Sequence, residues 1–155
     1  MIGPAPTFDY YLTAVHRGYQ ALLIAPFWAD DESVVLPATG GIYVFYEHNQ
    51  PIYVGRTRNL RRRIRQHSHP NSTHFSASFA FLLARRETDL PKTSGLTRSL
   101  LAEQLAEPFK NCRVRVGAMS VRWVIEEDSI VQSLLEVYAA VTLRTTEHYN
   151  SFRTS

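Results

Sequence analysis

Sulfur chemistry is nearly absent from this chain, which has two methionines and one cysteine, Cys112. A lone thiol forms no internal disulfide and cannot build a cysteine-based zinc site. Long apolar runs are missing too, since no stretch comes near the ~20 apolar residues needed to cross a bilayer. The opening residues, MIGPAPTFDYYL, lack the basic-then-apolar order of a secretory leader. A cytoplasmic setting without a membrane partner is therefore the expectation. Neither an internal repeat nor a low-complexity segment is found, and net charge is small, at +3.

What is present describes a folded protein. Hydrophobic residues make up 45% and charged residues 20% of 155 positions, an ordinary balance for one domain with a real core. The sequence pI is nonetheless about 9.2, and the positive charge is concentrated. Arg56, Arg58, Arg61, Arg62, Arg63 and Arg65 fall within ten residues. Such a patch suits a polyanion such as nucleic acid; a solvated helix face is the plain alternative.

Periodicity gives the elements. Phe8 to Phe27 reads as a helix with Tyr11, Val15, Tyr19 and Leu22 on one face, weakened at Gly18 and ended near Pro26. Residues 29–41 read as a connector. Ile42–Tyr46 and Ile52–Val54 read as strands, and the turn chemistry of Glu47–Pro51 makes them an antiparallel hairpin. Alternation sets Tyr43 and Phe45 on one face and Ile42, Val44 and Tyr46 on the other. Gly55 follows, expected to serve backbone shape where strand enters loop. A helix capped by Asn59 runs to about His67, and Ser68–Ser76 breaks it. Ala77–Arg86 is apolar but of ambiguous type, and Glu87–Gly95 reads as a loop. Leu96–Phe109 reads as a helix that Pro108 closes. Val121–Glu127 is a strand, and Asp128-Ser129 caps an apolar helix from Ile130 to about Arg144.

Chemistry gathers around the hairpin. Arg63 and His67 are four apart on one helix face, following strands that carry Tyr43 and Tyr53. A guanidinium fork, an imidazole and phenols suit phosphodiester cleavage, because they bind phosphate and relay protons. Glu136 falls inside the late apolar helix, where a carboxylate is costly unless paired or metal-bound. One glutamate suffices for Mg²⁺, which fills its shell with water and phosphate oxygens; an ion pair with an arginine is the alternative. His69 and His74 flank Pro70, but loop histidines without rigid spacing are commonly solvated.

The ordered set Gly41-Ile42-Tyr43, Tyr53-Val54-Gly55, Asn59, Arg63, His67, Glu136 and Asn150 resembles the GIY-YIG nuclease superfamily. Val54 stands where the family name has Ile. The likeness covers Gly40–His67 and Val121–Asn150. It implies an α/β (α+β) fold, a small three-stranded, mostly antiparallel sheet flanked by helices. Residues 1–39 would be a helical extension, and 40–155 the nuclease domain with an insertion at about 69–119.

The resemblance also implies roles. Tyr43 or His67 would deprotonate the attacking water, Arg63 would bind the scissile phosphate, and Tyr53 would hydrogen-bond the phosphate or the metal-bound water. Glu136 would hold a single Mg²⁺ or Mn²⁺, and Asn150 would brace the site or the phosphate. Arg56, Arg58, Arg61, Arg62 and Arg65 would grip flanking phosphates without reading sequence. The implied protein is an endonuclease acting on nucleic acid, DNA before RNA. Alternatives are a catalytically silent binding module of the same fold and a small sequence-specific restriction endonuclease. The extension and insertion would set substrate choice or make a homodimer.

Overall fold

In chain order the elements are α1 (Phe8–Ile24), β1 (Gly41–Glu47), β2 (Gln50–Thr57), α2 (Leu60–Gln66), α3 (Ser78–Glu87), α4 (Arg98–Gln104), α5 (Ala106–Gly117), β3 (Ser120–Ile125) and α6 (Ser129–Thr142), with a short 3₁₀ turn at Thr145–Glu147. This computed structural model describes residues 3–29, 34–88 and 97–152. The chain divides into two units, Met1–Arg61 with Ser120–Ser155, and Arg62–Met119.

In the first unit the strands form one antiparallel sheet in the order β2-β1-β3, flanked by helices. The hairpin turn is tighter than the five residues expected. Glu47 pairs with Gln50, and His48 and Asn49 between them both have left-handed φ, 50° and 62°. That is the backbone of a primed two-residue turn, whose twist matches the strands it joins. Pro51 lies inside β2, beside a register shift at Phe45/Tyr46. It is tolerated because β2 is an edge strand and a bulge spares one ladder bond. At the other edge Trp28 makes an isolated bridge to Val121, donating to its carbonyl at 2.7 Å and accepting from its N–H at 2.9 Å.

Both faces of β1 are buried. Ile42, Val44 and Tyr46 share a core cluster with Val54 of β2, Val15, Tyr19 and Leu22 of α1, and Val131, Leu135, Ala139 and Ala140 of α6. Tyr43 and Phe45 point to the opposite face, as alternation requires. α1 ends at Ile24, and Ala25, the residue before Pro26, is extended, because proline disfavours a helical residue ahead of it. Although α6 is apolar on most sides, Ile130, Val137 and Val141 are exposed, since only one side of the helix meets α1 and the sheet.

In the second unit α3 packs on α5, with the rings of Phe81 and Phe109 edge to face at 5.8 Å and Phe79, Leu83, Cys112 and Val116 buried. The ambiguous run after Ala77 is thus the helix α3. Most of the loop expected at Glu87–Gly95, and residue 96, lie outside the described residues. The helix expected to close at Pro108 is corrected: α4 ends at Gln104, and Pro108 sits in the first turn of α5. A proline there sacrifices only an N–H that has no intrahelical partner, so it opens a helix as readily as it ends one.

Asp128 caps α6 through its Oδ1, which accepts from the N–H groups of Ile130 at 2.8 Å and Val131 at 3.0 Å. Asp128→Ala leaves both donors without that acceptor and should cost about 1 kcal/mol, read as a lower urea midpoint with an unchanged slope.

Candidate functional site

Pairing decides which hairpin side chains share a face. Tyr43 is opposite Gly55 and Phe45 is opposite Tyr53 across the β1–β2 ladder. The rings of Tyr43 and Phe45 meet edge to face at 5.7 Å, and those of Phe45 and Tyr53 lie 6.5 Å apart. Tyr43 is 1% exposed, while Tyr53 is half-buried. Gly55 proves to lie inside β2 rather than at its exit. A Cβ at Gly55 would overlap Cζ, Oη and Cε2 of Tyr43, so the glycine makes room for the phenol. Gly41 is alike in kind, since a Cβ there would strike the Val124 carbonyl of β3.

Asn150 grips β2 from outside. Its Oδ1 accepts from the Val54 N–H, and its Nδ2 donates to the Val54 carbonyl, both at 2.8 Å. The side-chain amide thereby replaces one residue of a missing neighbouring strand. It fixes the backbone between Tyr53 and Gly55.

Glu136 projects from α6 toward Arg56 of β2, whose Nε donates to its Oε2 at 2.9 Å. The side chains are 21% and 48% exposed, respectively. Desolvation raises the Glu136 pKa above the usual carboxylate range, and the charge and hydrogen bond of Arg56 offset only part of it. The arginine ion pair that was the alternative reading of Glu136 is present, and it engages Arg56, which was expected to meet phosphate. Arg56 alternates with Gly55 along β2, which aims it at the α6 side of the sheet.

The second unit holds Arg63 and His67. Arg63 donates from Nη1 to the Ser76 carbonyl at 2.7 Å and from Nη2 to Ser78 Oγ at 2.8 Å. Of its five N–H donors, three remain beyond these two bonds. His67 is 0% exposed, with Phe79 edge-on at 6.3 Å. Burial, and next the Arg63 charge, hold its pKa well below the usual imidazole value, so it is neutral near pH 7. Of the other arginines, Arg61 donates from Nε to the Leu36 carbonyl at 2.7 Å, and Arg58, Arg62 and Arg65 are exposed. The first amides of α2, those of Leu60 and Arg61, donate to the carbonyls of Thr39 and Pro37. Among the described residues no group of three or more His, Cys, Asp and Glu is gathered for a metal ion.

Comparison with known proteins finds likenesses for this part of the chain. Residues 39–91, about a third of the chain, match the family model of the GIY-YIG catalytic domain. UvrABC system protein C of Deinococcus radiodurans is 36% identical over 64 residues, which are 38% of this chain and 10% of that protein. The chain thus spans about a tenth of that relative's length. Two point mutants of the GIY-YIG N-terminal endonuclease domain of UvrC from Thermotoga maritima align over 87% of this chain and 96% of theirs. Their TM-score is 0.40 in each case, with 16% and 15% identity, and both are described as bound to a catalytic divalent cation.

Two measurements follow from the geometry. Gly55→Ala forces the Tyr43 ring to move and should cost about 1–3 kcal/mol, lowering the melting temperature; Tyr43→Phe in the same background, which removes the overlapping Oη, should recover part of it. The neutral form of His67 is favoured by folding, so its contribution is complete above the usual imidazole range and is lost as pH falls toward the depressed value. The urea midpoint should therefore drop between pH 7.5 and 5.5 (roughly a unit either side of the free imidazole value), and drop less in His67→Asn.

Proposed function

We propose that this chain is an endonuclease that hydrolyses phosphodiester bonds in nucleic acid, DNA foremost, by direct attack of water. One observation carries the reading. The GIY-YIG catalytic-domain match at residues 39–91 takes in Tyr43, Tyr53, Arg63 and His67, the residues whose chemistry the reaction needs. The cluster of arginines at 56–65 supports a nucleic-acid substrate.

Arg63, with three N–H donors beyond its ties to Ser76 and Ser78, holds the scissile phosphate and stabilises its growing charge. Either His67, kept neutral by burial, or Tyr43 is the general base that takes the proton from water. Tyr53 offers its hydroxyl as a hydrogen-bond donor to the phosphate. Asn150 braces β2 under Tyr53. Glu136 fits the role of metal ligand, being a half-buried carboxylate whose neutralising arginine is exposed enough to swing away. A divalent ion there, Mg²⁺ or Mn²⁺, would supply positive charge to the leaving oxygen. Arg58, Arg61, Arg62 and Arg65 bind flanking phosphates. Residues 1–39 and the insertion at about 69–119 modify substrate choice.

One observation favours a second reading, a binding module that does not cut. Glu136 is already neutralised by Arg56, which is how a purely structural carboxylate would look.

Cleavage assays on supercoiled plasmid and on single- and double-stranded oligonucleotides, with Mg²⁺, Mn²⁺ or EDTA, separate the two. Cutting should require metal and disappear in Glu136→Gln while binding persists. A raised carboxylate pKa means stability present at low pH and lost as pH rises through that value, so the ionised group burdens the fold at neutral pH. In EDTA at pH 7, therefore, Glu136→Gln should melt no lower than the parent. Salt-sensitive binding with no cutting under any condition would establish the silent module instead.

A further inference from the structure

The segment Arg62–Met119 has ten Lys and Arg against four Asp and Glu, a net +6, whereas the remaining residues have seven against ten, a net −3. The chain's overall +3 therefore hides two parts of opposite sign. The positive part also presents an aromatic ring to solvent in an over-determined setting. Phe75 is 66% exposed, a large apolar side chain at the tip of the turn between α2 and α3. A lone surface phenylalanine is unremarkable in a loose loop, but this turn is tightly held.

Thr73 and Ser76 bond reciprocally: the Thr73 N–H donates to Ser76 Oγ at 2.9 Å, and the Ser76 N–H donates back to Thr73 Oγ1 at 3.4 Å. Two arginines from α4 and α5 clamp the same turn. Arg113 donates to the Ser72 carbonyl at 2.6 Å and Arg98 to the His74 carbonyl at 2.8 Å. The Arg98 guanidinium lies over two rings at once, 5.0 Å from the Phe75 centroid and 4.9 Å from that of Phe81. The His74 ring lies against Phe75 with centroids 4.2 Å apart and planes tilted by 39°, and 5.3 Å from Phe81 at a tilt of 48°. The arrangement is a cluster of planar groups in which Phe75 is 66% exposed, set in a positively charged unit.

We infer that Phe75 is a stacking platform for an unpaired nucleobase, with Arg98 steadying the ring and drawing in the adjoining phosphate. Two features identify the ligand class. Phe75, 66% exposed, offers aromatic surface to another planar group, and the surrounding charge selects a polyanion. Nucleic acid supplies both, and only where a base is unstacked, because a duplex hides its base faces. The inference deepens the nuclease reading, on which its choice of ligand rests: the preferred substrate carries a single-stranded or extruded nucleotide.

Fluorescence anisotropy in EDTA, with one labelled oligonucleotide as single strand and as blunt duplex, tests this without cleavage. Phe75→Ala should weaken single-strand binding about tenfold, the loss of one stacked base, and leave duplex binding unchanged. Because Phe75 is exposed, the fold should survive, and Phe75→Trp gives an independent readout. That variant should keep single-strand affinity, and its added indole emission should be quenched on titration with single strand and not with duplex. Unchanged single-strand binding by Phe75→Ala, equal losses on both ligands, or no quenching in Phe75→Trp would each overturn the platform; the first is also what an apolar protein contact at Phe75 would give. Metal-dependent plasmid cutting by the unaltered protein is scored separately, so the nuclease reading and the platform can fail independently.

Discussion

Strand β1 is hydrogen-bonded along both edges and buried on both faces, and everything assigned to the first unit is placed by that double constraint. A two-residue period gives the strand no freedom. Ile42, Val44 and Tyr46 must enter the core with α1 and α6, so Tyr43 and Phe45 must leave on the other side. A one-residue slip would bury the wrong set and expose the core. The tyrosine is therefore held by the same packing that holds the fold, and Gly55 opposite it is small because the phenol has nowhere else to go.

Charge is placed with similar economy. Ionised Glu136 carries a desolvation penalty that Arg56 relieves only in part, and a divalent cation would relieve it further than one guanidinium does. Arg63 is committed in the same partial way, tied to Ser76 and Ser78 with donors in reserve. His67 is the converse, an imidazole held neutral by burial and by the neighbouring arginine. None of the three is at rest in the sense that a surface ion pair is.

Much of the fold was legible because it is local. β-branched and aromatic residues either side of the turn residues Glu47–Pro51 revealed the hairpin, and Asp128 before an apolar run marked the start of α6. The failures have physical causes. Pro108 was read as a stop, yet proline is equally at home in a first turn, and only the preceding break at Leu105 tells the two apart. The partners Arg56 and Glu136 are 80 residues apart, and Asn150 and Val54 are 96 apart; no periodicity connects such positions. The reason for Gly55 was missed because a glycine beside a turn suggests backbone freedom, whereas here the need comes from a side chain on the next strand. The Phe75 turn was passed over as a helix breaker, its Thr73–Ser76 reciprocity being visible only when both side chains fold back.

The clamp of Asn150 on Val54 has a consequence for how the molecule behaves in company. An unpaired strand edge is a template on which another chain can add, the first step toward runaway assembly. On β2 that template is spoiled twice, by Pro51, which has no N–H to offer, and by an amide side chain that already uses both backbone groups of Val54. Across the sheet, Trp28 does the same at Val121 of β3. Three strands with two such stoppers cannot easily become four, so single residues outside the sheet set its width and keep copies of the molecule from zipping together.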